Sequence, residues 1–104
     1  MKDDASRSEE PSSSKALSAE VVIPNLKGLH ARASAQFVKC AEIYDADIHV
    51  THEGHTVLGN SIMGLMMLAA GQGNTILIET TGSEAKGALD ALVSLVSDGF
   101  NEEN

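Results

Sequence analysis

The fold of this chain is decided in residues 18–44, which read SAEVVIPNLKGLHARASAQFVKCAEIY. From Ala19 to Ile23 every second residue is apolar, which predicts a strand that ends at Pro24-Asn25. After Gly28 the apolar spacing changes to three and four residues, which predicts a helix from Ala31 to Tyr44. A strand followed by a helix therefore opens the folded part of the chain.

The same two periods predict three more strands and two more helices along the rest of the chain. The strands cover 46–51, 56–59 and 74–81; one helix runs from Ile62 to about Ala70 with Ser61 as N-cap and Gly71 as its stop, and the other is opened by Gly82-Ser83 and closed by Gly99. The order βαββαβα predicts an α+β fold: an open-faced sandwich in which three helices cover one face of a four-stranded antiparallel sheet. The other face carries Asp47, His49 and Thr51, and we expect it to face water.

The length of 104 residues fits one small domain. Residues 1–17 are polar, serine-rich and broken by Pro11, so we predict a disordered tail there, a folded domain over 18–100 and a short C-terminal tail over 101–104. The single cysteine, Cys40, excludes an internal disulfide and fits a reducing compartment, which makes the cytoplasm the expected location. Cys40 falls on the apolar stripe of the first helix, where we expect it to be buried.

The charge of the chain disfavours two classes of partner. Seven basic residues against fifteen acidic ones give a net charge of −8. Nucleic acids and anionic membranes bind mainly through clustered Lys and Arg, so we expect the chain to bind neither. No apolar run approaches the roughly 20 residues needed to span a bilayer.

His30 is the strongest candidate for chemistry. It lies at the predicted start of the first helix, where unpaired backbone N–H groups and the helix dipole attract anions. This positive end disfavours a charged imidazolium and so favours a neutral, nucleophilic ring. Arg32 can offer a fork of donors to a phosphate on or beside that ring. The pattern indicates a histidine that accepts and passes on a phosphoryl group.

The helix after Ser61 is apolar on nearly all sides. Ile62, Leu65, Met66 and Ala69 share one face, which we expect to fill the core. Met63, Gly64 and Met67 share the other face, which is either core as well or a surface for a partner. Unbranched methionines suit such a surface because they repack at low cost.

Two histidines flank a turn at His52-Glu53-Gly54-His55. This spacing is a weak metal pattern without a third ligand, and we predict a solvated hairpin that holds no metal. The sequence contains no nucleophile–base–acid set and no phosphate-cradling loop, and we expect no cofactor.

Together these residues resemble the HPr family, the histidine phosphocarriers of the bacterial phosphoenolpyruvate-dependent phosphotransferase system. The likeness extends from about Ser18 to Phe100 and rests on three stretches and a terminal pattern. The matching stretches are 25–32 (NLKGLHAR), 35–38 (AQFV), 60–66 (NSIMGLM) and the pattern from Ala88-Leu89 to Gly99-Phe100.

The resemblance implies a phosphoryl carrier rather than a stand-alone enzyme. His30 would be phosphorylated on Nδ1 by an enzyme I protein, helped by Arg32, and would pass the group to an EIIA-type protein. Ser61 matches the serine that an HPr kinase/phosphorylase modifies as a regulatory mark. Docking would use Gly28, Leu29, Met63, Gly64 and Met67, and we expect a monomer.

Two alternatives stay open. One is a regulatory binding module gated by phosphate on Ser61, with little phosphoryl flux through His30; the other is an enzyme with a phosphohistidine intermediate. Ala33 stands where the family commonly has proline, and Asn60 where it often has lysine. The sequence leaves open the sugar or nitrogen branch of the system, the acceptor, the effect of Ala33 on transfer rate, and whether Glu102 or Glu103 folds back towards Arg32.

Overall fold

A computed structural model describes residues 16–102. The elements are β1 (Leu17–Val22), α1 (Ala31–Ala41), β2 (Asp47–His52), β3 (His55–Leu58), α2 (Ile62–Met67), β4 (Thr75–Thr81) and α3 (Ala85–Ser97), with a 3-10 turn at Gly99–Asn101. The predicted order βαββαβα is confirmed.

The four strands form one antiparallel sheet in the order β1-β4-β2-β3. The last strand along the chain, β4, lies between β1 and β2, so that Ile78 is opposite both Ala19 and Val50. Ile76 and Ile78 point to the helical side and are fully buried. The centre of the sheet is therefore built from residues far apart in the chain.

The core lies between one sheet face and the helices. Phe37 of α1 and Leu92 of α3 are fully buried there, and Phe100 packs beside them in the 3-10 turn. On the opposite face, Asp47 and His49 are exposed. The predicted open-faced sandwich is thus confirmed, because alternation along each strand sends apolar side chains to the helices and polar ones to water.

Two helices end earlier than their apolar periods predicted. α1 stops at Ala41 instead of Tyr44, because the Ile43 and Tyr44 amides bond to carbonyls three residues back instead of four. One of these hydrogen bonds runs from Ile43 N–H to the Cys40 carbonyl. α2 stops at Met67 instead of about Ala70. Ala69 then takes a left-handed φ of +53°, which turns the chain before Gly71. The Ala70 carbonyl accepts a hydrogen bond from Leu29 N–H in the loop before α1.

Three burial predictions need correction. Ile62 and Met66 are each 40% exposed and Ala69 is exposed, so Leu65 is the α2 side chain that enters the core. A six-residue helix turns too few side chains inward, and Leu68 and Ala70 of the following turn fill the space instead.

The hairpin and the cysteine also differ from expectation. His52 is buried rather than solvated, because its Nδ1–H donates to the Leu68 carbonyl at 2.9 Å, whereas His55 is exposed. Cys40 is half-buried, and this burial raises the pKa of its thiol.

The inner end of each predicted tail lies within the described residues. β1 already includes Leu17, one residue before the predicted domain start. Glu102, assigned to the C-terminal tail, contacts the domain through its side chain. Residues 1–15 and 103–104 of the predicted tails lie outside the described residues.

Candidate functional site

A tight turn ahead of α1 positions His30. The Gly28 N–H donates to the Asn25 carbonyl at 3.2 Å, and the Asn25 amide donates back to the Gly28 carbonyl at 3.0 Å. Gly28 has a φ of +64°, and a Cβ there would lie 2.4 Å from the Ala70 carbonyl oxygen. Only glycine fits this position, because it combines a left-handed backbone with direct contact to another chain segment.

His30 is the N-cap of α1. Its backbone is extended, with ψ of −179°, and its carbonyl accepts the first helical hydrogen bond from Ser34 N–H at 2.8 Å. Its ring nitrogen Nδ1 accepts from the Arg32 backbone N–H at 3.2 Å. Nδ1 therefore points at the positive end of the helix and carries a lone pair there.

The other ring nitrogen binds a carboxylate. His30 Nε2 lies 2.5 Å from Oε2 of Glu102, and the Asn25 amide donates to Oε1 of the same carboxylate at 3.1 Å. Glu102, one of the two acidic residues left open by the sequence, folds back onto the domain. It binds the histidine itself, and within residues 16–102 it forms no ion pair with Arg32.

Glu102 is held in its charged form. Burial of this carboxyl alone would raise its pKa, but hydrogen bonds from His30 and Asn25 and electrostatic attraction to His30 and Arg32 outweigh burial. The pKa of Glu102 therefore lies below its usual value. A charged carboxylate can only accept hydrogen bonds, so the proton at this contact belongs to His30 Nε2.

The reactive side of the site is open. The His30 side chain is 21% exposed and Arg32 is exposed. A cleft of about 620 Å³ lies beside Arg32 and Glu102, and its lining also includes Lys27, Gln36 and Phe100. Two cationic side chains, Lys27 and Arg32, thus border the cleft that Glu102 also lines.

α2 carries the second group of predicted residues. Ser61 is its N-cap, and the Ser61 hydroxyl oxygen accepts from Gly64 N–H at 2.9 Å. A Cβ on Gly64 would lie only 3.0 Å from that oxygen, so glycine leaves room for the cap. Met63 and Met67 are 68% and 77% exposed. With Ile62 and Met66 they form an exposed apolar patch, called here the α2 surface.

The loop before α1 and the turn after α2 are joined. Leu29 N–H donates to the Ala70 carbonyl at 3.0 Å, and Gly28 contacts the same residue. Gly28 and Leu29, which we predicted to contact a partner, are themselves buried, and the Leu29 side chain belongs to the core. They join the two predicted sites to each other instead of lining the surface.

The comparison with known proteins decides the family. The family model PTS-HPr, described as "PTS HPr component phosphorylation site", matches residues 17–98. The phosphocarrier protein HPr of Cupriavidus necator is 42% identical over 86 residues, which cover 83% of this chain and 97% of that protein. The chain belongs to the HPr family.

Other members of the HPr family agree in sequence and in structure. The phosphocarrier protein NPr of Shewanella violacea is 38% identical over 83% of this chain and 94% of its own. The solved structure of HPr-C-His from Thermoanaerobacter tengcongensis superposes with a TM-score of 0.81 at 36% identity, covering 85% of this chain and 99% of that one. The HPr of Bacillus anthracis gives 0.75 at 43% identity, covering 78% and 96%.

The sequence assigned no role at His30 to two residues of this HPr-family site. Asn25 was predicted to end a strand, and Glu102 was placed in a tail whose possible contact with Arg32 stayed open. The presence of Asn25 and Gly28, two turn-forming residues, close together in the sequence was the one available signal for a turn. Nothing in the sequence pairs Glu102 with His30, because 71 residues lie between them and their contact depends on how α3 packs.

Two further features of the described part bear on function. Within residues 16–102, no three His, Cys, Asp or Glu side chains are grouped so that they could hold a metal ion. None of the helices in the same range has the length and apolar character needed to cross a membrane.

Proposed function

We propose that this HPr-family chain is a cytoplasmic, monomeric phosphocarrier. His30 Nδ1 accepts a phosphoryl group from enzyme I, which takes it from phosphoenolpyruvate, and passes it to an EIIA-type protein. One observation carries this proposal: the His30 ring presents an unprotonated Nδ1 at the positive end of α1 while its other nitrogen is bound by Glu102. A half-buried nucleophile is thereby held where an incoming anion is stabilised.

The transfer requires no base to remove a proton. The Nδ1 lone pair attacks phosphorus, the bond between phosphorus and the donor breaks, and its electron pair leaves with the donor. The Arg32 backbone N–H, which now binds Nδ1, then faces the phosphoryl oxygens. The Arg32 and Lys27 side chains border the cleft that Glu102 also lines, and their positive charge favours the approach of an anionic phosphoryl group. The reverse step delivers the group to the acceptor, so positioning accounts for most of the catalysis.

We propose that the α2 surface is the docking surface for these partners. Met63 and Met67 are large, apolar and exposed, and hydrogen bonds between the Leu29 loop and the turn after α2 hold this surface near His30. Ser61 lies at the start of the same helix. Phosphate added there by an HPr kinase/phosphorylase would accept hydrogen bonds from the helix amides. It would also add nearly two negative charges beside the α2 surface, which would weaken the docking of acidic partners.

A labelling experiment tests the carrier function. The protein is incubated with enzyme I and labelled phosphoenolpyruvate, and acid-labile label is measured, because phosphohistidine is lost in acid whereas phosphoserine survives. We expect acid-labile label that is lost in His30→Ala and retained in His55→Ala, which removes an exposed histidine of β3. Label that persists in His30→Ala, or its absence from the unmodified protein, contradicts the proposal.

The alternative function is a binding module gated by Ser61. The exposed α2 surface next to a capping serine favours it, since neither feature depends on phosphate passing through His30. HPr kinase with ATP should place acid-stable label on the protein but not on Ser61→Asn, which keeps an N-cap side chain. Acid-stable label in Ser61→Asn removes the regulatory site. Normal Ser61 labelling without any enzyme I labelling favours the alternative.

A further inference from the structure

Ser34 is a buried polar residue at the end of the first turn of α1, four residues after His30. Its side chain is fully buried, and its hydroxyl donates to the Leu29 carbonyl at 3.2 Å. A serine inside a helix ordinarily bonds to the carbonyl four residues back, which here belongs to His30. The Ser34 hydroxyl instead reaches one residue further, to the loop ahead of α1. It therefore ties the helix to the loop that carries the histidine.

Two hydrogen bonds from Ser34 hold the peptide groups on both sides of His30. The Ser34 N–H donates to the His30 carbonyl at 2.8 Å, and its hydroxyl binds the Leu29 carbonyl, which belongs to the peptide bond before His30. The Leu29 N–H is held as well, by the Ala70 carbonyl at 3.0 Å. Since peptide groups are planar, fixing both of them leaves His30 little freedom in φ and ψ. The direction in which the ring leaves the main chain is fixed with them.

The position of Nδ1 depends closely on that direction. The hydrogen bond that Nδ1 accepts from Arg32 N–H is 3.2 Å long, at the upper end of the usual range. A small rotation of the peptide group before His30 would move the ring and lengthen this bond further. Nδ1 would then leave the place at the end of α1 where an incoming phosphoryl group is stabilised.

Ala33 makes this hydrogen bond from Ser34 more important. Position 33 commonly holds proline in the family, and a proline ring fixes φ in the first turn of a helix, whereas alanine does not. Ala33 is fully buried and has no polar side-chain group with which to hold the turn. The hydroxyl of the next residue supplies, through a hydrogen bond, the stiffness that a ring would supply through covalent bonds.

We propose that Ser34 is a positioning residue for phosphoryl transfer, which holds His30 Nδ1 at the end of α1 in place of a proline at position 33. This inference rests on the proposed carrier function of His30. Loss of the Ser34 hydroxyl slows the transfer step itself and leaves docking intact, because the α2 surface keeps its exposed side chains.

Steady-state transfer from enzyme I, with phosphoenolpyruvate as donor, tests the role of Ser34. Ser34→Ala should lower kcat about tenfold and leave KM for the carrier unchanged. Thr80→Val is the matched control, because it removes another fully buried hydroxyl, which donates to the Ala85 carbonyl at 2.8 Å near the far end of β4. We expect Thr80→Val to lose stability as Ser34→Ala does but to keep its rate. An equal loss of rate in both variants, an unchanged kcat in Ser34→Ala, or a rise in KM alone overturns the inference.

A double variant tests the exchange between serine and proline. Ala33→Pro should restore most of the lost rate when it is added to Ser34→Ala, and should change the rate of the otherwise unmodified protein little, because both residues fix the same turn. Absence of any restoration overturns the claim that Ser34 acts in place of proline.

The amide proton of Arg32 reports the geometry at Nδ1 without any phosphoryl donor. Its NMR resonance is displaced by the hydrogen bond to Nδ1, so in Ser34→Ala it should move towards its position in His30→Ala. Thr80→Val should leave it unchanged. An unchanged Arg32 resonance in Ser34→Ala overturns the inference. If enzyme I labels neither the unmodified protein nor the variants but this resonance moves, the carrier function fails and the positioning of His30 by Ser34 stands.

Discussion

At the scale of single residues, the site depends on side chains whose chemistry and conformation have few substitutes. His30 supplies two different ring nitrogens, one at the helix end and one on Glu102. Gly28 supplies a backbone that no side chain tolerates. The motif around His30 predicted the helix start that the structure shows, because a helix start is a local property of sequence. It could not indicate Glu102, because that contact crosses the whole domain.

Gly28→Ala should destabilise the protein through both strain and collision. The φ of +64° costs an alanine about 1 to 2 kcal/mol, and contact with the Ala70 oxygen at 2.4 Å adds to it. Gly73→Ala is the matched control, because its φ is +86° but its Cβ would meet nothing within 4 Å. Urea unfolding should show a larger loss for Gly28→Ala than for Gly73→Ala. Equal losses would mean that the contact with Ala70 is unimportant.

The Glu102 contact should make stability depend on pH in acid. The pKa of Glu102 is lowered on folding, so the folded protein binds fewer protons here than the unfolded chain. The stabilisation is complete above the unfolded pKa, near 4.5, and is lost as pH falls through the lower folded value. In urea unfolding, the unmodified protein should exceed Glu102→Gln in stability at pH 7, and the two should converge near pH 3. A difference that persists at pH 3 contradicts this assignment.

At the scale of elements, α2 is a short helix that depends on contacts at its two ends. It has six residues, one of them fully buried, and it is held by the Ser61 cap at one end and the His52 contact with Leu68 at the other. Its apolar pattern predicted a longer helix with a buried face. This prediction was wrong because exposed and buried apolar residues give the same pattern in a sequence. Only the packing of the folded chain distinguishes them.

Removal of the Ser61 cap should weaken α2. Ser61→Ala loses the hydrogen bond with Gly64 N–H, and we expect a loss of about 1 kcal/mol in the free energy of unfolding. Ser61→Asn should retain most of the stability, because asparagine caps helices equally well. Thermal or urea unfolding of the two variants checks this. Equal stability of Ser61→Ala and the unmodified protein would show that the cap contributes little.

The α2 surface should affect docking and not stability. Met67→Ser alters a side chain that is 77% exposed, so the free energy of unfolding should change by less than about 0.5 kcal/mol. Phosphoryl transfer from enzyme I should slow about tenfold, since the proposed interface loses a large apolar side chain. Leu65→Ala is the contrasting variant, because its side chain is fully buried and its loss should cost about 2 to 5 kcal/mol. Unchanged transfer in Met67→Ser would contradict the docking role.

At the scale of the whole molecule, the sheet order makes stability uneven. β4 is paired on both sides and carries the buried Ile76 and Ile78, whereas α2 lies near one edge with most of its side chains exposed. Backbone amides open most rarely where pairing and burial are greatest. Native-state hydrogen exchange should therefore be slowest in β4 and fastest in α2. Exchange in β4 as fast as in α2 would contradict the central position of this strand.

The spacing of apolar residues along the chain was enough to predict the number, kind and order of the elements. It also predicted the water-facing side of the sheet and the histidine at the start of α1. These are local properties, since alternation, capping and turn chemistry act over a few residues. The tertiary structure alone decided that α2 turns Ile62 and Met66 outward, that His52 is buried, and that Asn25 and Glu102 meet at His30. Those outcomes depend on which surfaces the packed helices leave uncovered and on the direction in which α3 returns the chain end to the first loop. They are set by packing between residues distant in sequence, which no local pattern contains.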